Sequence, residues 1–104
     1  MGYFKNKRYI TCGIDANIPL ILQAAMWGMI GEDTAAGLKM DYLQVFTLKP
    51  VTKSGKEYQE IKLLQEQPKR ERLISVDLSI TPISAKIFVI DSGEYTTMML
   101  NNEY

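Results

Sequence analysis

Alternation of apolar and polar positions predicts most of the secondary structure of this chain. It runs through residues 8–14, where Ile10, Cys12 and Ile14 share one side, and we expect that side to face the core. The same period returns in five later segments, at about 42–50, 57–67, 72–80, 86–91 and 95–100. Ser54-Gly55 and the sequence DSGE at 91–94 have the composition of hairpin turns. The pattern therefore predicts five to six strands, most of them joined by short turns.

Residues 18–31, IPLILQAAMWGMIG, are apolar in a different way, because Gln23 is their only strongly polar member. Their Ala, Leu and Met content favours a helix, and Pro19 suits the first helical position. Such a helix would span roughly 21 Å, short of the roughly 30 Å hydrocarbon core of a bilayer, so we expect no membrane span. Either its small residues form a close-packed face or part of the helix meets a partner. For residues 32–40 we expect a loop with a partial helical turn.

The order of these elements predicts an α+β fold. One main helix packs on a largely antiparallel sheet of about five to six strands, in the order β-α-β-β-β-β-β. A chain of 104 residues supports one hydrophobic core, so we expect a single domain over residues 1–104. One helix covers only one face of such a sheet, and an exposed apolar face commonly marks an interaction surface.

The residue inventory argues against an enzyme. The chain has no histidine, which removes the commonest general base and metal ligand, and Cys12 is its single cysteine. No nucleotide or zinc motif is present, so we expect no cofactor, no metal and no catalytic residue. Asp91 and Glu94 could form a carboxylate pair, but we interpret them as parts of a solvent-exposed turn. Nothing resembles a secretory signal, and we expect a cytoplasmic protein.

Charge leaves nucleic-acid binding as the alternative function. Twelve basic and twelve acidic residues cancel, so the chain lacks the overall positive field of a dedicated nucleic-acid binder. Two local basic segments remain, each of which could contact phosphates if the fold joins them. They are Lys5, Lys7 and Arg8 in the first, and Lys69, Arg70 and Arg72 in the second.

Protein binding is the function that the sequence favours. Met and Trp are enriched at interfaces, and the predicted helix carries several. Four aromatic residues are predicted to form a strip on the sheet face away from the helix. The candidate interface residues are Met26, Trp27 and Met29 of the helix, and Tyr42, Phe46, Tyr58 and Tyr95 of the sheet.

The segments RYIT, DYLQVF, QEQP, KIFVIDSGEYTTMML and NEY resemble a family of short Gram-positive bacterial and phage proteins, domain of unknown function nine-sixty. The resemblance runs from about Arg8 to Tyr104. It implies a small cytoplasmic protein sometimes carried by phages or other mobile elements, and it brings no known activity or catalytic residues. We therefore expect a non-enzymatic interaction module that binds itself or a host protein, with defence nucleases among the host candidates.

Overall fold

The computed structural model describes residues 4–104 and has the predicted α+β architecture. One main helix and one short helix pack on a six-stranded sheet. The elements are β1 (Lys7–Ile10), α1 (Cys12–Asn17), α2 (Leu20–Ala35), β2 (Leu43–Lys53), β3 (Lys56–Gln65), β4 (Arg70–Val76), β5 (Ala85–Asp91), β6 (Tyr95–Leu100) and a terminal 3₁₀ turn, Asn101–Glu103.

The sheet is mostly antiparallel, with the strand order β1-β6-β5-β2-β3-β4. Strands β2, β3 and β4 form a meander, β5 and β6 form a hairpin, and the two units join through β2 and β5. Only β1 runs parallel to its neighbour, β6. Strands β1 and β4 are therefore the two edges of the sheet.

Both predicted hairpin turns are present. Ser54 and Gly55, between β2 and β3, both have positive φ, 52° and 77°. Two successive positive φ values define the type I′ turn, whose twist matches that of the flanking strands. Between β5 and β6, Gly93 has φ 101°, a conformation that side chains bearing a Cβ rarely adopt.

The core lies between the helices and one face of the sheet. Helix α2 buries Leu22, Met26 and Ile30, which recur every four residues and so share one side of the helix. The sheet residues that this layer covers alternate along each central strand. They are Phe46, Leu48, Ile61, Leu63, Ile87, Val89 and Met98.

The first predicted strand is shorter than expected. Strand β1 ends at Ile10, and Thr11 then caps α1, its hydroxyl accepting a hydrogen bond from the Ile14 backbone N–H at 3.3 Å. The change from a two-residue to a helical period leaves Ile14 buried but exposes Cys12. The expectation that Cys12 packs in the core is therefore wrong, because threonine is a strong helix N-cap and starts a helix here.

Helix α2 is longer than the sequence predicts. It begins at Leu20, with Pro19 as its N-cap, and continues to Ala35, so the first residues of the expected loop are helical. Asp33 explains the extension, because its buried carboxylate pairs with Arg70 and Arg72 of β4 and ties this last turn to the sheet. Gly37, with φ 75°, lies just beyond the helix end.

Candidate interaction surface

Three of the predicted interface residues belong to the core. Met26 and Phe46 are fully buried, and Met29 is almost so. Phe46 lies on the helix-covered face because Gln44, Phe46 and Leu48 form the inward set of β2. Its predicted place on an outward aromatic strip is wrong. The cause is that both alternating sets of β2 are apolar, so the pattern alone does not identify the buried set.

Trp27 is the partly exposed member of the predicted helix surface. Its ring packs at the margin of the core, and the guanidinium carbon of Arg8 lies 4.9 Å from the ring centroid. This cation–π contact covers part of the indole and joins α2 to the edge strand β1. Of the small residues on this helix, Ala24 and Gly28 are exposed, so they form no close-packed face within the described part of the chain.

The predicted tyrosines do not form one strip. Tyr58 lies opposite Val51, near the turn that joins β2 to β3. Tyr95 begins β6, and its ring meets that of Tyr9 edge to face at 5.6 Å. Tyr42 precedes β2 and is exposed. These residues occupy separate parts of the surface.

A different apolar feature crosses the middle of the sheet face that the helices leave uncovered, which we call the open face. Four residues lie opposite one another in the strand register, and we call them the apolar row: Leu64, Val45, Phe88 and Met99. All four are partly exposed, whereas their neighbours along the strands lie on the helix-covered face and, except for the partly buried Leu100, are buried. Leu43 and Ile90 extend the row on the open face, and the Tyr104 ring lies 5.5 Å from Phe88.

A pattern in the sequence other than the aromatic residues indicates this row. The central strands read LQVF, KLL, IFVI and MML, with apolar residues at odd and even positions alike. A strand that is apolar on both sides is typical of a sheet covered on both faces. Here the helices cover one face, which leaves the second apolar set partly exposed.

The charged residues around the apolar row include two lysines beside it and Glu71 at its β4 end, directly opposite Leu64. Lys62 of β3 and Lys86 of β5 lie on either side of Thr47 of β2, which is the next residue after Val45 on the open face of that strand. Lys62 pairs with Glu71 at 3.7 Å, and Lys49 pairs with Glu60 at 3.4 Å. The lysines of both pairs are well exposed, and surface pairs of this kind contribute at most about 1 kcal/mol each. Lys86 is exposed and has no ion pair within residues 4–104.

The two basic segments are not joined into one patch. Lys7 and Arg8 lie on β1 and Arg70 and Arg72 on β4, which are opposite edges of the sheet. Five strand spacings separate these edges, about 24 Å. Lys5 and Lys69 are exposed near the respective edges.

The two arginines of the second segment form ion pairs with acidic side chains of helix α2. Arg70 donates to Asp33 at 2.5 Å, and Arg72 donates to Asp33 at 2.9 Å and to Glu32 at 2.7 Å. The hydrogen bond with Glu32 is the main factor that raises the pKa of Arg72. Each guanidinium therefore has carboxylate partners, which leaves little positive charge at this edge for phosphates.

Asp91 has a structural role that the sequence did not reveal. Its carboxylate is buried and accepts hydrogen bonds from Phe4 N–H at 2.6 Å, Gly93 N–H at 2.8 Å and the Asn6 amide at 3.0 Å. Burial alone would raise the pKa of Asp91, but these hydrogen bonds outweigh it and lower the pKa. Glu94 is exposed in the same turn. The turn prediction is confirmed, whereas the expected exposure of Asp91 is wrong.

Two further features bear on the kind of site. Within residues 4–104 no group of three or more Cys, Asp or Glu side chains is arranged to hold a metal ion. Neither described helix combines the length and hydropathy needed to cross a membrane.

The fold and this surface define an α+β protein whose sheet has one helix-covered face and one open face. The chain belongs to the family described as Staphylococcal protein of unknown function (DUF960), whose profile matches residues 7–103. This confirms the family resemblance seen in the sequence. A comparison with curated proteins finds no match.

A solved structure supports the fold. It is described as the crystal structure of the protein of unknown function from Enterococcus faecalis, with a TM-score of 0.77 and 24% sequence identity. The similarity covers 97% of this chain and 92% of that chain. At this identity the likeness establishes a shared fold and nothing about activity.

Proposed function

We propose that this protein is a non-enzymatic module that binds another protein through the open face of its sheet. The observation that supports the proposal is the apolar row, which crosses four strands without a helix layer over it. Apolar side chains next to one another on a surface lose contact with water when a partner covers them, and this burial favours association.

The family resemblance suggests a setting for this binding. We propose an accessory protein, of the kind carried by phages and other mobile elements, that binds a host protein and modulates its activity. Physical occupation of a partner surface requires no catalytic group, which fits a chain without histidine. Nucleic-acid binding has weaker support, because Arg70 and Arg72 are already paired with carboxylates.

Affinity capture from a Gram-positive host lysate tests the proposal. The tagged protein is compared with Phe88→Glu, which places a charge in the apolar row, and with Ala24→Glu, which places the same charge on the exposed side of α2. Circular dichroism first establishes that both variants are folded. We expect a stoichiometric partner with the unchanged protein and Ala24→Glu, and loss of that partner with Phe88→Glu.

Nuclease treatment of the lysate is the second arm. A protein partner should remain after nuclease, whereas a partner held through nucleic acid should disappear. Equal capture by Phe88→Glu and the unchanged protein would exclude the open face as the binding surface. Loss of all captured material on nuclease treatment would favour the nucleic-acid alternative.

A further inference from the structure

Charge is segregated between the two layers of the molecule, although the chain as a whole is neutral. The two helices contain no lysine or arginine, and their charged residues are Asp15, Glu32 and Asp33. The strand positions on the open face show the opposite bias, with six lysines and two glutamates. These are Lys7, Lys49, Lys53, Lys56, Lys62 and Lys86, with Glu60 and Glu71.

The excess positive charge lies beside the apolar row as well as at the ends of the sheet. Lys62 and Lys86 are the two register neighbours of Thr47, so they flank it on adjacent strands. Lys86 also precedes Phe88 by two residues and shares its side of β5. Lys62 forms an exposed ion pair with Glu71, whereas Lys86 has no ion pair within residues 4–104. A partner seated on the apolar row would therefore meet the ammonium groups of Lys62 and Lys86 along one side and the Glu71 carboxylate at the β4 end, opposite Leu64.

We propose that the open face binds an amphipathic partner helix whose apolar stripe carries Asp and Glu along one side. This rests on the proposed function and names the chemistry of the partner. The apolar stripe would cover the apolar row, and the flanking carboxylates would meet Lys62 and Lys86. Complementary charge at the border of an interface steers association and disfavours partners of like charge.

The dimensions of the apolar row fit one helix. Four strands at a spacing of about 4.8 Å place its ends about 14 Å apart, which a helix of about ten residues spans. A helix with its side chains is about 10–12 Å wide, enough to cover the apolar row together with Leu43 and Ile90 in the adjacent register position. The sheet already packs α2 on its other face, so a second helix would complete a three-layer arrangement.

A second copy of the chain fits this surface less well. Two open faces brought together would oppose lysine-rich surfaces, and like charges across an interface are unfavourable. Single-stranded nucleic acid also fits less well, because its bases stack on exposed aromatic ring faces. The apolar row has one aromatic member, Phe88, whose ring meets that of Tyr104 edge to face. The exposed rings of Tyr9 and Tyr95 lie at the β1 edge and pack edge to face on each other.

Selection from a displayed library of random 16-residue peptides tests the proposal without assuming a partner. We expect enriched peptides to carry apolar residues at helical spacing with Asp or Glu beside them. Their affinity, measured by fluorescence anisotropy, should fall at least about tenfold for the double variant Lys62→Glu/Lys86→Glu and should weaken as salt is added. The control Ala24→Glu/Lys39→Glu adds negative charge on the exposed side of α2 and in the loop that follows this helix, and it should bind the peptides unchanged.

Several outcomes would overturn the inference: enrichment of basic or uncharged peptides, no enrichment, or equal affinity for both double variants. Sedimentation equilibrium tests the second copy, since a dimer that Phe88→Glu disrupts would make self-association the answer. A labelled twelve-nucleotide oligothymidine tests nucleic acid. If the protein binds it and Phe88→Glu abolishes this binding, the open face binds nucleic acid and the inference is wrong.

The lysate capture separates failure of this inference from failure of the proposed function. If Phe88→Glu abolishes capture of a protein partner but the selected peptides are not acidic, the open face binds protein and the inferred partner chemistry is wrong. If Phe88→Glu captures the partner normally and no peptide is enriched, both proposals are wrong.

Discussion

The buried ion pairs of Asp33 provide a sharp test of how the last turn of α2 is held. The side chain of Asp33 is 8% exposed and that of Arg70 is 20% exposed, and the carboxylate also accepts from Arg72. Arg70 has a further constraint, because its Nε is buried and has no hydrogen-bond partner among the described residues. The variant Asp33→Asn keeps the shape of the side chain while removing the negative charge.

The expected cost follows from the charge that remains. Removing one partner of a buried ion pair costs about 3–5 kcal/mol, because the other charge stays buried without compensation. Arg70 is partly exposed and asparagine can still accept one hydrogen bond, so we expect the lower part of this range, about 3 kcal/mol. A domain of this size has a free energy of unfolding of about 5–15 kcal/mol, so the loss is a large fraction of the total.

Urea unfolding followed by circular dichroism measures this cost. A loss of about 3 kcal/mol with an m-value of about 1.5 kcal/mol/M lowers the midpoint by about 2 M. Glu32→Gln is the matched control, because it neutralises the adjacent carboxylate, which also pairs with Arg72 but is 66% exposed. We expect the control to cost less than about 1 kcal/mol.

Equal costs for Asp33→Asn and Glu32→Gln would refute this reasoning. A further variant isolates the buried charge: in Asp33→Leu/Arg70→Met both charges of the pair are absent. It should be more stable than Asp33→Asn, because the arginine charge that would otherwise stay buried has been removed.

Three further predictions concern stability in urea. Because the pKa of Asp91 is lowered in the folded protein, its carboxylate stabilises the fold above the unfolded-state pKa of about 3.9. This stabilisation is lost as the pH falls through the folded-state pKa. Asp91→Asn should remove this pH dependence of the free energy of unfolding. Met26→Ala should cost about 2–5 kcal/mol, because Met26 is fully buried. Leu20→Ala, at a position 76% exposed, should change stability by less than about 0.5 kcal/mol. Equal costs would contradict the burial pattern. Gly28→Ala should stabilise α2 by up to about 1 kcal/mol, since the added Cβ meets open space. Gly93→Ala should cost about 1–2 kcal/mol because Gly93 has a positive φ. Changes of the same sign would refute this contrast.

The sequence predicts the elements of this fold better than their boundaries. Two-residue alternation and turn residues identify the strands, and apolar composition identifies α2, because these signals are local. The helix boundary at Ala35 is not local, since Asp33 becomes buried only by pairing with arginines that lie 37 and 39 positions later. The start of α1 is not evident from the sequence for a different reason: Thr11 can continue a strand or cap a helix.

The candidate surface could be predicted in kind but not in detail. A single main helix on a broad sheet implies an open face, and this expectation is confirmed. Assigning residues to that face requires the register, because a shift of one position moves every side chain of a strand to the other face. Aromatic character predicts Phe46 on the open face, but Phe46 is buried in the core and Val45 lies on the open face.

The two faces of the sheet should differ in how they tolerate mutation. On the covered face, each large side chain fills space against the helices, so its truncation leaves a cavity and destabilises the fold. On the open face, Phe88 and Val45 are partly in contact with water already, so polar substitutions there forgo less buried apolar area. Open-face variants can therefore lose a partner while keeping the fold, which is the property that makes the binding proposal testable in a folded protein.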